Sequence, residues 1–169
     1  STLRMELING EIYLLASPSM GHQEILGGLY LRFHEYFKGK KCRVFLAPFD
    51  VHFRKKDIKE PDVMQPDLLI ACDLETAVSE KGRYLGTPAL CVEILSKSTR
   101  SKDMVDKLNT YMLSGIREFW VVDPDKQSVL VYGFKDFAVD EHIAYRQGDI
   151  LRSYFFAGLA FSVAEIFTR

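Results

Sequence analysis

The run Ala89, Leu90, Cys91, Val92, Glu93, Ile94, Leu95 constrains the fold more than any other stretch of the chain. A short, unbroken apolar segment of this kind belongs to a strand covered on both faces of a sheet. One carboxylate, Glu93, interrupts it. Taking a lone carboxylate out of water is costly unless something compensates it. Either Glu93 has a partner, or the run is not a buried strand.

The segments around this run supply a sheet and its covering helices. Asn9-Gly10 lies between two short β-prone runs in MELINGEIYLLA, the strongest short hairpin signal, so the chain is expected to open with a β-ribbon. Residues 22–37 place Ile25, Leu26, Leu29, Phe33 and Phe37 at helical spacing, and KGKK follows with a glycine and last-turn lysines. CRVFLAPFDVHFR reads as two strands broken near Pro48, and DLLIACD as another. A second helix is expected over residues 100–114, with Met104, Leu108, Tyr111 and Met112 on one stripe. Ser98 or Thr99 can cap its start, and Gly115 lies just past its end. REFWVVDPDKQSVLVYGF gives a strand, an Asp-Pro turn and a returning strand; the tail gives two more strand-like runs and a short SVAEIF element. Together these predict an α/β domain (α+β, with a mixed sheet), centred near Glu93 and filling residues 1–169 as a single unit.

Composition bounds the setting. Lys and Arg number 22 against 23 Asp and Glu, so no large overall field announces a polyanionic partner. Local basic clusters at Lys38, Lys40, Lys41 and at Arg54, Lys55, Lys56 are candidates for a nucleic-acid footprint, with solvated loop-end charge as the plainer reading. Cys42, Cys72 and Cys91 form no C-x-x-C pair and no even framework, which reads as buried thiols and makes cysteine-bound zinc unexpected. With no apolar stretch of membrane-spanning length and no signal-like N-terminus, a soluble, cytoplasmic protein without membrane contact is expected.

The chemistry concentrates on three positions. Asp67 opens one apolar strand and Glu93 lies in the next, so their carboxylates can converge at one sheet edge. Mg²⁺ accepts a small number of carboxylate oxygens and keeps several waters, so an Asp, a Glu and a main-chain carbonyl would suffice to bind it. Pairing of Glu93 with a nearby Lys or Arg explains the same residue equally well. On the following helix Asp103, Lys107 and Tyr111 fall at i, i+4 and i+8, so Lys107 can point back toward the sheet. An Asp103–Lys107 surface pair is the plain alternative.

QPDLLIACD, the opening MELINGEIYLLASPSMGHQE and, above all, E-I-L-S-x-S-T followed by D-x-x-x-K-x-x-x-Y-x-x-x-G-I-x-E-F-W-V-V-D-P closely resemble the bacterial Uma-two family. This family of restriction endonucleases belongs to the PD-(D/E)XK nuclease superfamily, and the resemblance runs over almost the whole chain. It implies a restriction-endonuclease-like core with flanking helices and an N-terminal β-hairpin. It also implies metal-dependent hydrolysis of DNA phosphodiesters, with Mg²⁺ (or Mn²⁺) held by Asp67, Glu93 and the backbone carbonyl of Ile94. The superfamily lysine normally stands two residues beyond the second acid, where this chain has Leu95. The resemblance moves that role to Lys107, with Lys97 as a rival. His22, Gln65, Asp103 and Tyr111 are candidate substrate or supporting residues. A homodimer is the default assembly, and the alternative function is a silent nuclease-fold module binding DNA or a protein. If Lys107 is catalytic, replacing it is expected to cost turnover and leave the fold intact.

Overall fold

Glu93 does lie in a strand buried on both faces. The computed structural model describes residues 3–97 and 101–167, apart from the side chain at position 102, and within it every residue of β7 (Leu90–Ile94) is buried. Its neighbours are β6 (Leu68–Ala71), antiparallel, and β8 (Glu118–Asp123), parallel. Outside these run β3 (Arg43–Leu46) on one side and β9 (Ser128–Lys135) and β10 (Ala138–Tyr145) on the other, giving the order β10-β9-β8-β7-β6-β3. The sheet is mixed because one parallel pair sits among antiparallel ones, and a parallel pair needs a crossover helix. That helix is α2 (Ser101–Leu113).

The N-terminal ribbon forms as expected. β1 (Met5–Ile8) and β2 (Glu11–Leu14) pair antiparallel around Asn9 and Gly10, whose φ angles of 52° and 80° are those of a tight turn with both central residues left-handed. The ribbon does not join the main sheet. It pairs with β5 (Asp62–Met64), which pairs with β4 (Val51–Phe53), to form a second sheet of order β2-β1-β5-β4. The two strands on either side of Pro48 therefore belong to different sheets. The tail holds three strands where two were expected: β10, then β11 (Ile150–Arg152) paired with β12 (Ala160–Ser162).

Two cores flank the main sheet. α1 (Met20–Phe37) starts two residues earlier than its apolar spacing suggests, because Ser19 caps it by accepting from the His22 N–H at 3.1 Å. Its buried residues are the five predicted ones, Ile25, Leu26, Leu29, Phe33 and Phe37. They pack on Leu68, Ile70, Val92, Trp120 and Val122, with the tail strands and α3 (Ala164–Phe167) completing that face. On the opposite face Leu69, Cys91 and Phe119 meet Tyr111, Leu108 and Met112 of α2, with Ile8, Val51, Phe53 and Met64 of the second sheet. Gly115, at φ 86°, ends α2 in the left-handed conformation that favours glycine. The proposed caps Ser98 and Thr99 lie outside the described residues.

Two expectations are corrected here. Cys42 and Cys72 form a disulfide, with Cα atoms 4.2 Å apart, so Cys91 is the free cysteine and it is buried. The cause is register. Arg43 pairs with Ala71, so the cysteines one step outward stand directly opposite each other on neighbouring antiparallel strands. Lys55, proposed as part of a basic footprint, is 6% exposed and held by Asp62 at 3.1 Å and by the Asn9 side chain. A buried, paired ammonium offers nothing to a polyanion, although Arg54 and Lys56 beside it are exposed.

Candidate active site

β6 and β7 place the two acids. Leu68 pairs with Val92, so Asp67 and Glu93, one step further on, stand opposite each other at the end of the two strands, with the Glu93 side chain meeting α2. Asp67 is fixed at both carboxylate oxygens. Oδ2 accepts from the Ile94 N–H at 2.7 Å, and Oδ1 lies 3.3 Å from Nε2 of His22 on the first turn of α1. The contact to Asp67 raises the His22 pKa against the opposing effect of burial.

Glu93 is 5% exposed, and its partner is Lys107. Nζ of Lys107 stands 3.2 Å from Glu93 Oε1, and the Tyr111 hydroxyl, one turn further along α2, donates to the same oxygen at 2.7 Å. Burial pushes the Glu93 carboxyl up to about 7; Lys107 opposes this, Asp67 and Glu6 add to it, and Tyr111 opposes it again. Burial disfavours the Lys107 ammonium, but Glu93 and Glu6 outweigh it and hold its pKa above the ordinary lysine value. We assign the pair as ammonium and carboxylate at neutral pH, because Oε1 accepts from two donors at once, which suits an ionised oxygen.

The structure adds a residue that sequence reasoning missed. Glu6 of β1 is 2% exposed, with Oε1 at 3.1 Å from Lys107 Nζ and Oε2 accepting from the Gln65 N–H at 2.8 Å. The signal lay in the period of the hairpin: Glu6 shares its face with Ile8, and that is the face turned inward. Gln65 thus touches the site through its backbone, while its side chain bridges Asp50 at 2.8 Å and Arg4 at 2.9 Å.

Glu6, His22, Gln65, Asp67, Glu93 and Lys107 line one cleft of about 1060 Å³, which also takes in Ile94, Asp103 and Lys97. Lys97 is exposed at its rim. Of the eight site residues proposed from sequence, Asp67 contacts His22 and the Ile94 N–H, Glu93 contacts Lys107 and Tyr111, Gln65 joins Lys107 through Glu6, and Asp103 lines the same cleft. The basic clusters at Lys38, Lys40, Lys41 and at Arg54, Lys56 do not line it. The expectation that Lys107 is dispensable for folding is revised by its geometry. Its side chain is 13% exposed and neutralises two buried carboxylates.

The donor set suits a hard divalent cation. Two carboxylates in register and a nearby carbonyl provide oxygen ligands, and Lys107 alone does not balance Glu6, Asp67 and Glu93. Among the described residues no group of three or more His, Cys, Asp or Glu converges in metal-ligand geometry. A cation bound here would draw on few protein ligands and keep water on the rest of its shell.

A crystal structure described as a putative nuclease belonging to DUF820 from Anabaena variabilis shares this fold, with a TM-score of 0.80 and 22% identity over 96% of this chain and 89% of that one. No curated protein matches the chain. The fold is restriction-endonuclease-like, and residues 1–164 match the Uma2 family, described as "Putative restriction endonuclease", so the chain belongs to that family.

Proposed function

We propose that the chain is a metal-dependent DNA endonuclease of the PD-(D/E)XK type. The observation that carries this reading is the register placing Asp67 opposite Glu93 at the cleft, with the Lys107 ammonium 3.2 Å from Glu93. Mg²⁺ or Mn²⁺ held by Asp67, Glu93 and the Ile94 carbonyl would supply Lewis acidity toward a phosphodiester oxygen and toward water. The chain's own residues do the rest. His22 and the Ile94 N–H hold Asp67 in one orientation, and Tyr111 pins Glu93. Lys107 presents a fixed positive charge that offsets the negative charge building up on the phosphoryl group in the transition state.

One observation favours the alternative, a silent module that binds a partner without cutting. Among the described residues the cleft is lined by seven Asp and Glu against four Lys and Arg, an unwelcoming wall for a polyanion unless cations are bound. One experiment separates the two readings. The chain is incubated with supercoiled, linear, branched and single-stranded DNA, with Mg²⁺, Mn²⁺ or EDTA. Cleavage that needs the cation and disappears in Glu93→Gln and Asp67→Asn supports the endonuclease. Absence of cleavage of every DNA form under all cation conditions, in a chain shown to be folded by circular dichroism, supports the module.

A further inference from the structure

Lys107 is shared by carboxylates from two different sheets. Glu93 Oε1 of β7 lies 3.2 Å from Nζ and Glu6 Oε1 of β1 lies 3.1 Å from it. This sharing matters once Glu93 is asked to hold a divalent cation, so the argument rests on the metal-site reading above. A cation at Glu93 and an ammonium against the same carboxylate repel each other. With Glu93 as its only partner, the ammonium would either block the cation or swing away. Its side chain is already 87% withdrawn from solvent, so swinging away means leaving the cleft.

Glu6 removes that conflict. It is a second carboxylate at the same ammonium, it is buried, and its other oxygen is anchored by the Gln65 N–H at 2.8 Å, so it does not follow Lys107 out. We infer that Glu6 is a positioning residue: it retains the Lys107 ammonium inside the cleft when Glu93 takes up a divalent cation, so that both positive charges occupy the site together. It touches neither substrate nor metal. A merely structural Glu6 would stabilise the N-terminal ribbon and leave the competition between lysine and cation unchanged.

The probe is Mn²⁺ alone, without DNA, titrated into the full chain and followed by the electron paramagnetic resonance of the free ion. Glu6→Gln keeps the shape and an acceptor for the Gln65 N–H but removes the charge that holds the ammonium. It is expected to weaken Mn²⁺ binding by about tenfold, because Lys107 is then confined to Glu93. Loss of a nearby negative charge would by itself weaken cation binding, so the same substitution is repeated in a Lys107→Met background. With no ammonium to hold, only that direct charge effect remains, so Glu6→Gln should weaken Mn²⁺ binding there severalfold less than in the unaltered background. Equal weakening in both backgrounds would reduce Glu6 to a bystander charge and overturn the inference, as would no weakening in either.

Since Lys107→Met can prevent folding, a second measurement uses Glu6→Gln alone. Acetylation of Lys107 by acetic anhydride is read by peptide mass spectrometry with and without Mn²⁺. Lys107 should stay protected in the unaltered chain under both conditions and become reactive in Glu6→Gln when Mn²⁺ is added. Unchanged protection in Glu6→Gln with Mn²⁺ bound overturns the inference and leaves the metal site standing. Failure of the unaltered chain to bind Mn²⁺ overturns both.

Discussion

Replacing Lys107 by Met tests the electrostatic reading of the site without requiring activity. The substitution keeps the apolar stem and removes the ammonium, leaving Glu93 and Glu6, both at most 5% exposed, without their shared cation. Breaking a buried ion pair from one side costs about 3–5 kcal/mol, far more than the few tenths of a surface pair. The lower end applies here, because Tyr111 still donates to Glu93 and the Gln65 N–H still donates to Glu6. A loss of about 3 kcal/mol in a domain of this size lowers Tm by roughly 6–12 °C. Urea denaturation in EDTA should show a lower midpoint with an unchanged slope. Adding Glu93→Gln to Lys107→Met should recover part of the loss, since the stranded charge is then gone. A cost below about 1 kcal/mol for Lys107→Met would refute the argument, because the two carboxylates would then have to be solvated or protonated without their lysine.

Glu118 is fully buried and accepts from Ser153, Trp120 and the Tyr154 and Phe155 N–H groups, so Glu118→Ala should cost about 3 kcal/mol in urea unfolding and Glu118→Gln clearly less; equal costs would discount the bonding. Gly10→Ala meets no neighbouring atom within 4 Å but must adopt φ near 80°, so thermal melting should report a loss of about 1 kcal/mol from backbone conformation alone. Reduction of the disulfide linking positions 30 residues apart should cost about 3–4 kcal/mol in the unaltered chain and nothing in Cys42→Ser/Cys72→Ser, checked by melting with and without dithiothreitol. In DNA cleavage assays Lys107→Ala should lower hydrolysis by about a hundredfold while Lys97→Ala has little effect; the reverse pattern would move the catalytic lysine to Lys97.

The sequence was most legible where a local pattern carries its own physics. The apolar run around Glu93 declared a doubly covered strand, Asn9-Gly10 declared a turn, and the stripe from Ile25 to Phe37 declared a helix whose buried face matches residue for residue. Asp67, Glu93 and Lys107 stood out in the residues and took their proposed roles from the family's motif, while spacing alone favoured a surface Asp103–Lys107 pair. What stayed hidden depends on register and on which sheet a strand joins. β5 has three residues, too few for alternation to show, yet it couples the ribbon to β4 and so brings Glu6 to Lys107. A separate non-local pairing, β3 with β6, set Cys42 against Cys72, and Asp62 of β5 holds Lys55 inward. Each is a contact between distant segments, which no window of sequence contains.

The site is gathered from the first hairpin, the start of α1, the β6–β7 pair and the far flank of α2. No supersecondary unit holds more than a fragment of it. The free energy that keeps Lys107 beside Glu93 is therefore the cooperative stability of the assembled sheets, and partial opening of the ribbon or of α2 dismantles the cluster before the rest unfolds. During synthesis, Glu93 emerges from the ribosome before the helix that neutralises it, and the parallel β7–β8 pair cannot close until α2 has been made and has crossed over. The cluster therefore does not exist in a chain whose synthesis has not passed α2.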